Sequence, residues 1–135
     1  MNLKRLSVGL ALIATGVHAA EDTDNTPCDG IENDKQTLEC ATYNKTTAEQ
    51  LLKDNYQSLL ERMGSTYAGN KAQLADITAR LKDAQQKWDK LRDADCAVDT
   101  FPAEAGSKEY AIAQNDCLAR MSDERSEFLE SIGQE

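Results

Sequence analysis

Leu74 to Cys96 reads LADITARLKDAQQKWDKLRDADC, and the spacing of its apolar residues decides the fold class. Leu74, Ile77, Leu81, Ala84, Trp88 and Leu91 follow one another at steps of three, four, three, four and three. That rhythm puts them on one stripe of an amphipathic helix, and no strand-like alternation competes with it. The opposite face carries Asp76, Arg80, Lys82, Asp83, Lys87, Asp89 and Lys90. Asp76 to Arg80 and Asp83 to Lys87 are acid-first pairs at i, i+4, the order that suits a solvated face. Asn70 is placed to cap the start, with Gln73 three residues on. The only Trp of the chain lies on the stripe, and the stretch ends at a cysteine. The stripe is a natural surface for two further helices.

Those two flank it. From Asp34 to Tyr67 the residues Leu38, Ala41, Leu52, Tyr56, Leu59, Met63 and Tyr67 fall near one face. Asn44-Lys45-Thr46-Thr47 is the weak link, poor in helix propensity, and Thr46 with Glu49 resembles a capping box. A kink or a break is therefore the alternative to one long helix, which Cys40 and Tyr43 favour by continuing the rhythm backwards. Gly64 and Gly69-Asn70 are expected to end it. After Cys96, Ala97 to Gly106 reads AVDTFPAEAG, where Phe101-Pro102 blocks helix continuation. Ser107 then caps a third helix to about Ile132, with a stripe of Tyr110, Ala113 or Gln114, Cys117 or Leu118, Met121, Phe128 and Ile132. Arg125 interrupts that stripe, and a half-buried guanidinium needs an acid or carbonyl partner. Short connections make consecutive helices antiparallel. The expected fold is all-α, an antiparallel three-helix bundle tied by two disulfides.

Residues 1–19 read as a signal peptide: Lys4 and Arg5, then an apolar run from Leu6 to Val17, then Val17-His18-Ala19 before cleavage. The run is too short and too interrupted to be a membrane anchor. No cysteine follows the cleavage point to carry a lipid, so a periplasmic or secreted protein without a membrane anchor is expected. Residues 20–33 form an acidic lead-in, and 34–135 the helical domain. The formal charge of −9 becomes −11 without the signal, which holds two basic residues and no acid. Such a chain does not bind nucleic acid through phosphates and is drawn to a cationic protein, unless the charge serves solubility alone.

Cys28, Cys40, Cys96 and Cys117 all lie in the exported part, and an even count there reads as two disulfides. Zinc is disfavoured because the four lack CxxC pairs. Cys96 with Cys117 would tie the second helix to the third, leaving Cys28 to clamp the lead-in against Cys40. Pairing of Cys40 with Cys96 stays open. The only histidine, His18, falls in the signal, so imidazole chemistry is excluded from the mature chain. No phosphate loop or calcium-type aspartate spacing occurs, and no catalytic residue, metal or cofactor is assigned.

Gln85, Trp88, Arg92, Asp93 and Cys96 form Q-x-x-W-x-x-x-R-D-x-x-C, and Cys117, Leu118, Arg125 and Leu129 form C-L-x(6)-R-x-x-x-L. Together with Cys40, Leu52 and Tyr56 these motifs resemble the LprI-like lysozyme-inhibitor family of small exported helical proteins, over residues 28 to 132. Lys53 departs from the family's usual asparagine, and Gly106-Ser107 stands for a longer Gly-Gly-Ser. The motif residues Gln85, Trp88, Arg92, Asp93, Arg125 and Leu129 read as architecture, with both arginines reaching across the bundle. Trp88 reads as core, with a partly exposed anchor as the alternative. The resemblance implies a non-enzymatic binding protein whose partner is a cationic c-type lysozyme. The alternatives are a structural or envelope-stress module and, last, an enzyme using carboxylates alone. The candidate contact is the loop after Cys96, with Asp99 and Glu104 meeting basic groups and Phe101 as an apolar anchor. The competing expectation, slightly preferred, is that Phe101 folds inward and caps the bundle.

Overall fold

The computed structural model describes residues 25–134, so the expected signal peptide and the start of the lead-in lie outside the described residues. Three helices follow in order: α1 (Asp34–Thr66), α2 (Lys71–Asp99) and α3 (Lys108–Ser131). Their starts are fixed by side chains that accept otherwise orphaned backbone N–H groups. Asn33 accepts from Gln36, Asn70 from Gln73 at 3.0 Å, and Ser107 from Tyr110 at 3.1 Å. The surface pairs Asp76–Arg80 and Asp83–Lys87 close at 2.9 Å and 2.7 Å. α1 is one continuous helix through the threonine-rich stretch, and Gly64 lies inside it rather than ending it. Gly106 takes a φ of 86° in the last turn before α3, a conformation open to glycine at little cost.

The chain runs up, down and up, with consecutive helices antiparallel. α1 and α3 therefore run parallel, and they are the closest pair. The Asn55 amide donates to Ser126 Oγ at 2.6 Å, and the Asn115 amide to Thr42 Oγ1 at 3.1 Å. Arg62 donates to the carbonyls of Leu129 and Ile132, completing the C-terminal end of α3. Their seam is lined by small buried residues, Ala41 and Ala48 on α1 and Ala119, Ser122 and Ser126 on α3. Small side chains at the contact shorten the distance between helix axes. Leu59 and Leu129 are fully buried and join Leu52, Met63 and Leu81 in the core.

This corrects the expectation that α2 is the surface on which the others assemble. α2 buries only Leu81 and Cys96 completely, with Leu74, Ile77 and Trp88 partly covered. Ala84 and Leu91, expected on its inner stripe, are exposed. The cause is geometric. At about 100° per residue a straight helix carries Ala84 about 80° and Leu91 about 100° away from Leu74, while Gln85, Trp88, Arg92 and Cys96 stay within about 40°. A three–four rhythm keeps facing its partner only if the helices supercoil. Phe128, placed on the inner stripe of α3, is likewise more than half exposed.

Two disulfides join Cys28 to Cys40 and Cys96 to Cys117. The first holds the lead-in against the second turn of α1; the second ties the last turns of α2 to the middle of α3. Such bonds persist in oxidising compartments and mark an exported protein. Among the described residues no helix is long and apolar enough to cross a membrane.

Candidate partner-binding site

The sequence motifs converge on one stack between α2 and α3. The Arg92 guanidinium lies 5.2 Å from the centre of the Trp88 ring, and that of Arg125 lies 5.8 Å from it. Arg125 also sits 5.2 Å from the Phe128 ring. The order along the stack is thus Phe128, Arg125, Trp88, Arg92. Cations over aromatic faces contribute about 0.5–2 kcal/mol each, more as water is excluded. Arg125 Nε donates to Gln85 Oε1 at 3.2 Å, which answers the demand for a partner across the bundle. Burial pushes the Arg125 guanidinium down from its ordinary value, while the Asp89 carboxylate and Tyr56 act the other way. It remains charged, as arginine does in proteins.

Arg92 was expected to reach across the bundle, but its ion partners are on its own helix. It pairs with Asp93 at 2.8 Å and approaches Asp89 at 3.9 Å. The reason is reach: the carboxylate of the next residue accepts from both Nε and Nη2 of the guanidinium, with no need to cross the indole. Together with Tyr56 and Lys53, Arg92 and Gln85 line a cleft of about 290 Å³ between α1 and α2. Asp93 is on the outer side of α2 and Leu129 is in the core. Leu129 therefore belongs to the core and not to the stack, while Asp93 holds the Arg92 end of it.

The predicted contact residues lie beyond the stack, where α2 ends against α3. α2 extends to Asp99, so the connecting loop starts at Thr100 and not at Ala97. Thr100 is buried and its hydroxyl donates to the Cys96 carbonyl at 2.9 Å. The loop is a run of tight turns: Phe101 N–H donates to Val98, Ala103 to Thr100 and Ser107 to Glu104. Phe101 does not fold inward; it is 85% exposed, and Val98 beside it is 75% exposed. Pro102 follows it, and the tight turns hold Phe101 outward while the bundle end beneath is covered by buried Thr100 and the disulfide.

Behind the loop is a groove of about 540 Å³ lined by Asp95, Val98, Asp99, Pro102, Arg120, Met121 and Glu124. Its apolar floor is Val98, Pro102 and Met121, and the Cys96 sulfur lies 3.8 Å from that of Met121. Its rim is acidic. Arg120 bridges Asp99 and Glu124 at 3.6 Å each. Asp99 is thus part of the groove, whereas Glu104 is on the exposed loop and does not line it. Sequence reading missed Val98, Asp95, Met121 and Glu124. A signal was present: Leu91 and Val98 continue the seven-residue spacing from Ala84 on the azimuth that turns away from the core. Among the described residues no group of three or more metal-ligating side chains comes together.

The sequence and the fold both have counterparts among known proteins. A family profile described as lysozyme inhibitor LprI matches residues 28–129. A crystal structure of a DUF1311 family protein from Pseudomonas putida KT2440 is similar at 41% identity and a TM-score of 0.70, covering 77% of this chain and 97% of that one. No curated protein matches the chain. The profile spans every cysteine and every motif residue of the stack, and on that match the chain belongs to the LprI lysozyme-inhibitor family.

Proposed function

We propose that this chain is a non-enzymatic exported protein that binds a cationic protein through the groove and loop over the Cys96–Cys117 bond, with a c-type lysozyme as the partner. The observation that carries the reading is the pairing of exposed Val98 and Phe101 with the acids Asp95, Asp99, Glu104 and Glu124. An apolar anchor among four acids, with Arg120 pairing two of them, suits a basic partner surface, and the net negative charge of the chain steers its approach. Steering alone does not inhibit. The turns from Val98 to Ser107 and the disulfide beneath them hold the loop, so little entropy is lost when it enters a cleft. The catalytic groups of such a cleft are carboxylates, and Phe101 would cover them rather than pair with them. The guanidinium–indole stack serves this reading as scaffold, holding α2 at the angle that presents the groove.

The test is a cell-wall lysis assay with lysozyme, mature protein and a graded salt series, beside Phe101→Ala/Asp99→Ala/Glu104→Ala. Protection that fades with salt and is lost in the triple variant supports the reading. No protection at low salt removes lysozyme as the partner and leaves a structural or envelope-stress role. Protection that survives the triple change keeps the partner and rejects the loop.

A further inference from the structure

The two disulfides stand in different surroundings. Cys96 and Cys117 are each 2% exposed, with the Thr100 hydroxyl and the Met121 sulfur beside Cys96. Cys28 and Cys40 are both partly open to solvent. The segment that they hold closes mostly on itself: Thr26 N–H donates to the Asp29 carboxylate at 2.8 Å, and Asp29 N–H returns to the Thr26 carbonyl at 3.0 Å. Pro27 lines one hollow with Leu38 and Tyr43 of α1. The start of α1 does not depend on the bond. Asn33 caps it from inside the ring that the bond closes, and Gln36 Oε1 accepts from Glu32 N–H at 2.7 Å. Thiol–disulfide exchange needs access for an attacking thiolate, and exposed bonds are the ones that exchange.

We propose that Cys28–Cys40 is a redox-labile clip, opened by a dithiol while Cys96–Cys117 stays closed, with residues 25–32 released and the bundle left folded. The geometry also gives the exchange a direction. Asn44 lies one turn past Cys40, and its amide Nδ2 donates to Cys40 Sγ at 3.6 Å. A sulfur that accepts a hydrogen bond leaves more readily as thiolate, because the donor stabilises the charge it acquires. The thiolate of the dithiol therefore attacks Cys28 Sγ, and Cys40 departs as thiolate and takes up a proton. The second thiol of the reagent, losing its proton, then closes on the first and frees Cys28. Two electrons pass: the reagent becomes a disulfide and the protein gains two thiols. Asp29 and Glu39, next in sequence to the two cysteines, are acids, and they favour a neutral reagent over an anionic thiol.

The probe is dithiothreitol, added to native mature protein in a timed series, quenched with iodoacetamide and mapped by peptide mass. Cys28 and Cys40 are expected to be alkylated at least about tenfold faster than Cys96 and Cys117, the gap closing in guanidinium chloride, where the fold no longer shields either bond. During that first phase, backbone ¹⁵N shifts are confined to residues 25–46 and the Trp88 emission is unchanged. Asn44→Ala is expected to slow the reduction of Cys28–Cys40 several-fold, and Asn44→Asp more, with the rate at Cys96–Cys117 unmoved. Equal rates at the two bonds, Cys96–Cys117 opening first, or no reduction of Cys28–Cys40 without denaturant overturns the proposal. So does unfolding that accompanies the loss of Cys28–Cys40, or a wild-type rate in both Asn44 variants. The readout is taken on the free protein, so lysozyme binding and its failure do not bear on it.

Discussion

The seam between α1 and α3 and the outer half of α2 are built from opposite materials. The seam is made of small residues packed out of sight, Ala41, Ala48, Ala119, Ser122 and Ser126, closed by Leu59 and Leu129. The outer half of α2 keeps its apolar groups in view: Leu91 is 55% exposed and Val98 75%. Its attachment is a disulfide and a stack of charged and aromatic groups rather than an apolar core. Hydrophobic burial therefore stabilises one region, while cross-linking and stacking position the other. The second arrangement leaves apolar surface for a partner without loosening the bundle.

This contrast fixes an order of mutational effects. Leu129→Ala should cost most, about 3–5 kcal/mol by denaturant unfolding, because the site is fully enclosed between two helices that cannot collapse on the void. A cost below 1 kcal/mol would mean that the seam is not the core. Removing Cys96–Cys117 by a double alanine change should cost about 3 kcal/mol, through the loop of some twenty residues it closes and the two helices it joins. The same change at Cys28 and Cys40 should cost less than about 1 kcal/mol, because the lead-in opens locally without unfolding the bundle. Equal losses at the two bridges would erase that distinction.

Trp88→Ala should cost about 2–3 kcal/mol, less than for an enclosed indole, since the ring is only partly covered and two guanidinium groups lose their stacking face. Its fluorescence should be only partly shielded from quenchers. Full protection would return Trp88 to the core. Smallest of all, Leu91→Ser should change stability by less than about 0.5 kcal/mol, as for surface substitutions generally. A loss of more than about 1.5 kcal/mol, above the range for surface sites, would show that Leu91 faces another helix after all.

The helices themselves were readable because their ends carry capping residues at the right offsets. Asn70 and Ser107 accept the N–H groups that their spacing promised. The favoured disulfide pairing is the one found, but antiparallel order alone left Cys40 with Cys96 open, because it also brings α1 beside α2. What the pattern concealed was the rank of the helix pairs. Ser122 and Ser126 look like surface residues in a sequence, yet their small size lets α3 approach α1. Leu91 looks like core, yet a straight helix rotates it outward. The Asn44–Thr47 stretch suggested a kink by propensity alone; α1 continues through it, with Thr42 joined to Asn115 of α3. Phe101 is the same lesson at the site: its apolarity suggested burial, and the tight turns around it keep it in water.

The proposed partner site is the exposed apolar surface where α2 meets α3, and the most direct test is the footprint of that partner. Unlabelled c-type lysozyme is added to ¹⁵N-labelled mature protein at low salt, and the perturbed backbone signals are mapped. Perturbation is expected at residues 95–104 and at Arg120, Met121 and Glu124, fading as salt is raised, with the signals of the seam residues Ala41, Ala48, Leu59 and Leu129 unmoved. Perturbation centred on α1, or none at all, would contradict it.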